Sequence, residues 1–480
     1  MADDSVRSAF LSEVEKKPFL YIQPGTTDNV DLYAGKQNRE VKAAEVAVST
    51  GRFKVSANNL SMNGTSAFQF NSSSLVGDFV LSVSIVCPSV GMLPHGWLFK
   101  AINQLQITFS PSVFQNLTIN SQSLFDYAML SCQSKTTRDE LLWAAGKPVV
   151  GDGGTYTASI PLSFILANNS NLNGFPIDLS TILSMTINVV WNSPGYFFQD
   201  PSNGSTWDPS LLPTSFLDAY ITCTSVDIQN QDFSMRSILN KNQDSGYVVP
   251  VKYLTSEVIS LNNYTPGSQI NQQLQGFIAG ICTDVIVSCH PTSWDYENTY
   301  GYVKRPYSCD FDSMSLEYAG QAIFQFQKTT EYKASCIQKW GEVPQYDYLF
   351  SISGSALTAS NADAPTQPDV GYIARRKDAT VYDIPLSYRP GECLRDNRLE
   401  NIVSYAGKAL NLKAVVGAND RDLHILRPYY SSATTLVVGG WDIERDTLVV
   451  NPTGDYTMNI TYVNEAALVI ENGLIRVLTE

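Results

Sequence analysis

The pentapeptide Ile160-Pro161-Leu162-Ser163-Phe164 returns as Ile384-Pro385-Leu386-Ser387-Tyr388. Each copy closes a run with strand character, Tyr156-Thr157-Ala158-Ser159 before the first and Val381-Tyr382-Asp383 before the second. A further strand-like segment follows each at a similar distance: Met185-Thr186-Ile187-Asn188-Val189-Val190 and Leu410-Asn411-Leu412-Lys413-Ala414-Val415. A repeat over this span means that one β-domain has been used twice in one chain. Proline lacks the N–H that a central strand must donate, so both copies are expected at a sheet edge or a strand end, with the same local geometry.

Earlier segments recur in the same order. Val83-Ser84-Ile85-Val86-Cys87-Pro88 parallels Val285-Ile286-Val287-Ser288-Cys289-His290-Pro291, and Leu105-Gln106-Ile107-Thr108-Phe109 parallels Met314-Ser315-Leu316-Glu317-Tyr318. Turns follow at Ser110-Pro111-Ser112 and Ala319-Gly320-Gln321. Next, Val113-Phe114-Gln115-Asn116-Leu117 matches Ile323-Phe324-Gln325-Phe326. Finally, Asp126-Tyr127-Ala128 leads to Ser131-Cys132 as Glu331-Tyr332-Lys333-Ala334 leads to Ser335-Cys336.

The chain has 480 residues, enough for two or three domains with large cores. Only 16% are charged, and Asn, Gln, Ser and Thr fill the gap, giving a polar but weakly charged surface. A net charge of −14 argues against binding nucleic acid directly, which needs a basic stripe. The eight cysteines form no C-x-x-C pair, and most sit in apolar runs where a buried thiol acts as a small hydrophobe. Met1-Ala2-Asp3-Asp4-Ser5 has neither the basic nor the apolar region of a signal peptide, so a soluble chain made in a reducing compartment is expected. The sequons at Asn63, Asn71, Asn203 and Asn263 are read as part of an Asn/Ser/Thr-rich surface.

The expected organisation is an N-terminal arm over 1–40, a first β-unit over 41–232, a polar linker over 233–247 and a second β-unit over 248–480. The arm could hold a short helix between Val6 and Lys17. Between Ser123 and Lys147 the alternation gives way to helical spacing in two pieces: Leu124, Tyr127, Ala128 and Cys132, then Leu141, Leu142 and Ala145. Thr137 is the expected cap of the second piece. Asn192 to Phe216 and Ser353 to Thr380 read as long excursions projecting from one end of the units.

The fold class expected is all-β, two tandem eight-stranded antiparallel jelly-roll sandwiches with short helices in loops. Gly96-Trp97-Leu98, the strand Ile102-Asn103-Gln104-Leu105-Gln106-Ile107, the hairpin to Ile119 and the helix from Leu124 carry a resemblance over about 45–470. With the Ile-Pro-Leu-Ser-Phe strand and Ile187-Asn188-Val189-Val190, the chain resembles the double-jelly-roll major capsid proteins of the adenovirus and tailless-phage lineage. The look is nearest to polinton-like viruses, virophages and related eukaryotic DNA viruses. The turn Ser110-Pro111-Ser112 departs from the Gly-rich turn often found there. The resemblance implies a homotrimer of hexagonal outline that tiles an icosahedral shell beside neighbouring capsomers, vertex (penton) proteins and minor capsid proteins. It also implies outer loops at one end and an N-terminal arm inside.

No catalytic, cofactor or metal site is expected. His95, His290 and His424 lie in separate segments with no metal-ligand spacing, the first two reading as loop residues. There is no G-x-S-x-G and no P-loop. Asp310 and Asp312 could flank calcium or act as a glycosidase pair, but a polar strand edge explains them more simply. Trp294, Tyr296, Tyr300 and Tyr302, in one segment with Asn298, suit a contact with protein or sugar, because aromatic rings bury large area while their polar tips stay satisfied. A small core beneath a loop is the alternative. Tyr196, Phe197 and Trp207 in the first excursion are grouped with them as candidate surface or inter-subunit contacts. Arg375-Arg376-Lys377 reads as a solvated loop, or as a partner for an acidic neighbouring subunit. The other functions to weigh are a tandem-sandwich glycan-binding protein or glycan-directed hydrolase, and a minor vertex or spike protein of a virion.

Overall fold

The structure, a computed structural model, describes residues 48–70, 75–89, 91–110, 117–132, 134–150, 153–162, 177–178, 184–198, 209–228, 247–275, 282–292, 308–352, 372–386, 410–420, 423–432, 435–446, 449–471 and 474–478. The expected arm lies outside them, as does the expected linker apart from Tyr247.

The first half carries β1 (Val48–Ser56), β2 (Thr65–Phe70), β3 (Leu75–Val86), β4 (Met92–Leu93), β5 (Ile102–Ser110), β6 (Leu117–Asn120), β7 (Val149–Val150), β8 (Thr155–Pro161), β9 (Ile177–Asp178), β10 (Ser184–Trp191) and β11 (Asp218–Ile228). Helices α1 (Trp97–Ala101), α2 (Ser121–Ser131), α3 (Lys135–Ala144) and α4 (Pro194–Phe197) lie between strands. Two antiparallel sheets result, in the orders β1-β11-β3-β8 and β2-β10-β5-β6.

The second half repeats this plan with β12 (Tyr247–Tyr264), β13 (Gln269–Leu274), β14 (Cys282–Pro291), β15 (Phe311–Tyr318), β16 (Gln321–Phe326), α5 (Thr329–Trp340), β17 (Gln345–Ile352), β18 (Tyr372–Thr380), β19 (Tyr382–Pro385), β20 (Leu410–Val416), β21 (Asn419–Asp420), β22 (Leu423–Ser432), β23 (Thr435–Asp446), β24 (Val449–Val450), β25 (Gly454–Glu471) and β26 (Leu474–Leu478). Its sheets run β12-β25-β14-β19 and β13-β20-β15-β16, the same order of strands as in the first half. Each half is therefore a jelly roll. A third four-stranded sheet, β17-β18-β22-β23, is an addition of the second half.

Period-2 alternation builds the cores. Met185, Ile187, Val189 and Trp191 point inward from β10, and Leu410, Leu412, Ala414 and Val416 do the same from β20. The Ile-Pro-Leu parts of the two pentapeptides occupy the same place in both rolls. Ile160 and Pro161 stand opposite Leu81 and Val80, and Ile384 and Pro385 stand opposite Val285 and Asp284, each on the last strand of its four-strand path. The backbone N–H of Leu162 donates to the Phe79 carbonyl at 2.7 Å, and that of Leu386 to the Thr283 carbonyl at 2.7 Å. Proline sits where no ladder donor is lost.

That register corrects two segment matches. Leu81, not Val83, is the counterpart of Val285, since each faces the Ile of its pentapeptide. A slip of two residues keeps every side chain on its own face, so alternation alone does not reveal it. Likewise Leu117 faces Ile107 as Phe324 faces Leu316, so Leu117 is the counterpart of Phe324; Phe114 lies outside the described residues.

Other expectations change as well. Ser134, not Thr137, caps α3, its side chain accepting from the Thr137 N–H at 3.2 Å. Tyr372–Thr380 is strand rather than excursion, so Arg375 lies opposite Leu349 and His424, not in a solvated loop. His290 is a strand residue paired with Thr457. The described part of the first excursion folds inward: Phe197, Phe198, Leu212 and Phe216 are buried, with Trp97 stacked on Phe197 and Trp191 packed on Phe216. All seven described cysteines are buried, as small hydrophobes should be, and none of them is in a disulfide.

Candidate functional site: the polar seam between the rolls

The two rolls meet along a seam built from α2 and α3 of the first and β12, β14, β25 and β17 of the second. Asn120 caps α2, its Oδ1 accepting from the Ser123 N–H at 2.8 Å. The same side chain crosses the seam. Its Nδ2 donates to Ser256 Oγ at 2.9 Å and to Asn459 Oδ1 at 3.1 Å. Thr461 Oγ1 donates to Ser123 Oγ at 2.8 Å, and Asn459 Nδ2 reaches both hydroxyls, at 3.3 Å to Ser123 and 3.1 Å to Thr461. Ser123, Asn459 and Thr461 are buried, so each of these bonds removes a desolvation penalty.

Arg138 of α3 is 1% exposed and uses all five of its N–H groups. Nε donates to Met129 O at 2.7 Å and Nη2 to Cys132 O at 2.8 Å, satisfying carbonyls that α2 leaves open at its C-terminus. Nη2 also meets Glu342 Oε1 at 2.8 Å, and Nη1 reaches Val343 O at 3.4 Å and Gln345 O at 3.5 Å, all in the second roll. Beside it, Lys135 pairs with Asp347 at 2.8 Å and with Asp378. Burial works against the Lys135 ammonium, but hydrogen bonds and charge from both carboxylates outweigh it and raise its pKa. Asp139 Oδ1 accepts from the Asp347 N–H at 2.7 Å.

Aromatic rings of β17 pack beside this polar strip. Phe125 of α2 packs edge-on against Tyr346, with centroids 5.5 Å apart, and His95 stacks on Tyr348 at 5.8 Å. Burial pushes the His95 imidazole down to about 4, against the pull of Asp347. Burial pushes the Asp126 carboxyl up to about 6, opposed by the Ser288 hydroxyl beside it, by the hydrogen bond from Gln122 and by the charges of His290 and Lys100. Burial also lifts the Cys132 thiol to about 11, despite Arg138 nearby, so it stays protonated and unreactive.

Close backbone packing supports α1 at the edge of the seam. Gly96 donates to Gly146 O at 2.6 Å, and a Cβ on Gly146 would lie 2.2 Å from Trp97 Cδ1. The strip binds and aligns the two rolls. Among the described residues no group of three or more His, Cys, Asp and Glu side chains is placed to hold a metal. Asp310 accepts from the Tyr382 hydroxyl at 3.4 Å.

Trp207, Trp294, Tyr296, Tyr300 and Tyr302 lie outside the described residues. Phe197 is wholly buried between Trp97, Phe198 and Phe216, so its side chain is a core group and offers no surface contact. Tyr196 is half-buried. The seam residues themselves escape a sequence reading. Asn120-Ser121-Gln122-Ser123 does carry a cap signal ahead of the apolar helix, but nothing local says that the cap also reaches Asn459. Asn459 and Thr461 alternate with Met458 and Ile460 and would be read as solvent-facing.

No protein-family model matches the chain, and no curated protein does. Solved structures do. The PBCV-1 protein VP54, fitted into a cryo-EM reconstruction of the virophage Sputnik, superposes with a TM-score of 0.60 at 11% identity, over 90% of this chain and 98% of that one. A chain of the PBCV-1 virus capsid gives 0.57 at 11% identity, over 92% of this chain and 98% of that one. A chain of the Sputnik virophage gives 0.51 at 13% identity, over 95% and 94%. At such identities the likeness establishes the fold: this chain is a double jelly roll built like these chains along nearly its whole length.

Proposed function

We propose that the chain is the major capsid protein of an icosahedral DNA virus, a homotrimer of hexagonal outline whose work is mechanical and needs no catalytic residue. The fold it shares with capsid chains supports this reading, and one relationship within the chain carries it. The outward face of the second roll's sheet is covered by α2: all ten residues of β14 are buried. Ser288 faces Asn459 there as Ser84 faces Asp218 in the first roll, and Ser256 faces Thr461 as Ser56 faces Tyr220.

In the first roll that same face is open among the described residues. Lys54 and Asp218, paired at 2.9 Å, are 46% and 43% exposed. The counterpart of α2 is α5, and its outer side is open too, with Thr330, Ala334 and Ile337 exposed and Ile337 at 56%. Each open surface has the partner it lacks on a second copy. Docking α5 and β16 of one copy onto β1, β11 and β3 of the next repeats the seam, and such head-to-tail contacts must close into a ring or run on as a filament. Two rolls per chain and three chains give six near-equivalent blocks.

The same reading places 1–40 as an inward arm, 41–232 and 248–480 as the two rolls and 233–247 as their linker. Tyr196, Trp207, Trp294, Tyr296, Tyr300 and Tyr302 would make contacts between subunits or capsomers. Penton and minor capsid proteins would be partners in the virion, and the −14 charge leaves genome condensation to other proteins. Light scattering after size exclusion tests the proposal: three chain masses, with hexagonal particles in negative stain, are expected. A stable monomer that binds oligosaccharide would replace it with a glycan-directed protein.

A further inference from the structure

We propose that the seam is a proton-sensitive joint, in which Asp126, clamped between Gln122, Lys100, Ser288 and His290, holds the two rolls together more tightly when neutral than when ionised. The geometry is that of a charge enclosed by a joint. Asp126 lies on α2, 4% exposed, with Gln122 Nε2 donating to its Oδ1 at 2.8 Å and its Oδ2 buried without a hydrogen bond. The charged or titratable groups near it come from two directions, Lys100 on α1 and His290 on β14, both buried. The other elements bring neutral groups: Ser288 from β14, Asn459 and Thr461 from β25 and Asn120 from β6. Arg138, at the far end of α2, is committed to Met129, Cys132 and Glu342.

A carboxylate in this enclosure loses water that the seam only partly replaces. Opening the seam returns that water, so ionisation favours the open form. The sign follows from the position of the carboxyl, raised from 3.8 to about 6. Its contribution to closure is complete below the lower value and is lost as pH rises through the upper one. His95 acts in the opposite sense over nearly the same pH range, so the comparison with an Asp126→Asn protein isolates Asp126. The joint is internal to one chain, so it is independent of how copies assemble.

Hydrogen exchange in α2 of the full chain, at about pH 5 and about pH 7.5 and corrected for intrinsic rates, tests this. Relative to Asp126→Asn, protection in the native chain is expected to fall about tenfold between the lower and the higher pH. Ser288→Ala removes the hydroxyl beside the carboxyl, a polar group that favours the charged form, and should move the midpoint upward. An Asp126→Asn protein that keeps the native pH dependence overturns the proposal. Should that variant fail to fold, a Ser288→Ala midpoint unmoved or lowered overturns it.

Discussion

Arg138 and Glu342 join the two rolls through a 2.8 Å contact in which the arginine side chain is 2% exposed and the carboxylate 25%. The asymmetry matters. The guanidinium has left water entirely, and five acceptors replace that water, three of them in the other roll. Removing the arginine leaves the carbonyls of Met129 and Cys132 buried and unpaired. Arg138→Ala is expected to cost about 3–5 kcal/mol, the range for breaking a buried ion pair. Denaturant midpoints would show it, with Arg138→Lys between the two because it keeps charge but loses the fork.

Asn120 performs two tasks with one amide. Asn120→Ala loses a helix cap, about 1 kcal/mol, and strips Ser256 and Asn459 of a donor. We expect a loss of about 2–3 kcal/mol in thermal or chemical unfolding. Asn120→Asp should restore the cap and not the contact with Asn459 Oδ1, which would face a second acceptor, so it recovers only part of the loss.

Gly146 has φ +128 and lies against Trp97. A methyl group there would overlap the indole, whose own position is fixed by Phe197 stacked on it. Gly146→Ala combines overpacking with backbone strain and should destabilise the first roll by about 3 kcal/mol or more, read as a drop in Tm.

The His95 imidazole is held neutral, lowered from 6.5 to about 4. Its contribution to stability is present above the upper value and lost as pH falls through the lower one. A shift of this size corresponds to about 3 kcal/mol. His95→Phe, which keeps a ring for Tyr348 and Trp143 to pack on, should make unfolding less sensitive to acid between those limits. An acid-unfolding curve identical to that of the native chain would exclude His95 as the source.

Ile337 is 56% exposed on α5. Ile337→Asp should leave monomer stability within about 0.5 kcal/mol while weakening self-association at least tenfold by light scattering. An equal loss of oligomer from a charge placed at Ser56, on the opposite open face, would tie the two surfaces to one interface.

Much of the fold was legible in the residues. The repeated Ile-Pro returned in the same edge strand of both rolls, and the Leu105 and Met314 segments aligned residue for residue. Helical spacing located both helices between Ser123 and Lys147. The legible parts share a cause: strand and helix periods are local, and a duplicated strand keeps its edge proline for the same missing N–H. Errors arose where that locality ends. A two-residue slip between Val83 and Val285 preserved every facing direction. Phe197 sat in a Pro- and aromatic-rich stretch that looked like a surface loop and proved to be a lid on Trp97.

The sequence by itself determined that one β-domain is used twice, where its edge strands lie, and that the chain's charge does not suit a nucleic-acid surface. Only the tertiary structure decided that polar Asn459 and Thr461 are buried, that Arg138 spans both rolls, and which faces of the first roll and of α5 stand open. The physical reason is that alternation records that two faces of a strand differ. What covers the polar face depends on a helix more than three hundred residues away in the chain, and no local pattern encodes that distance.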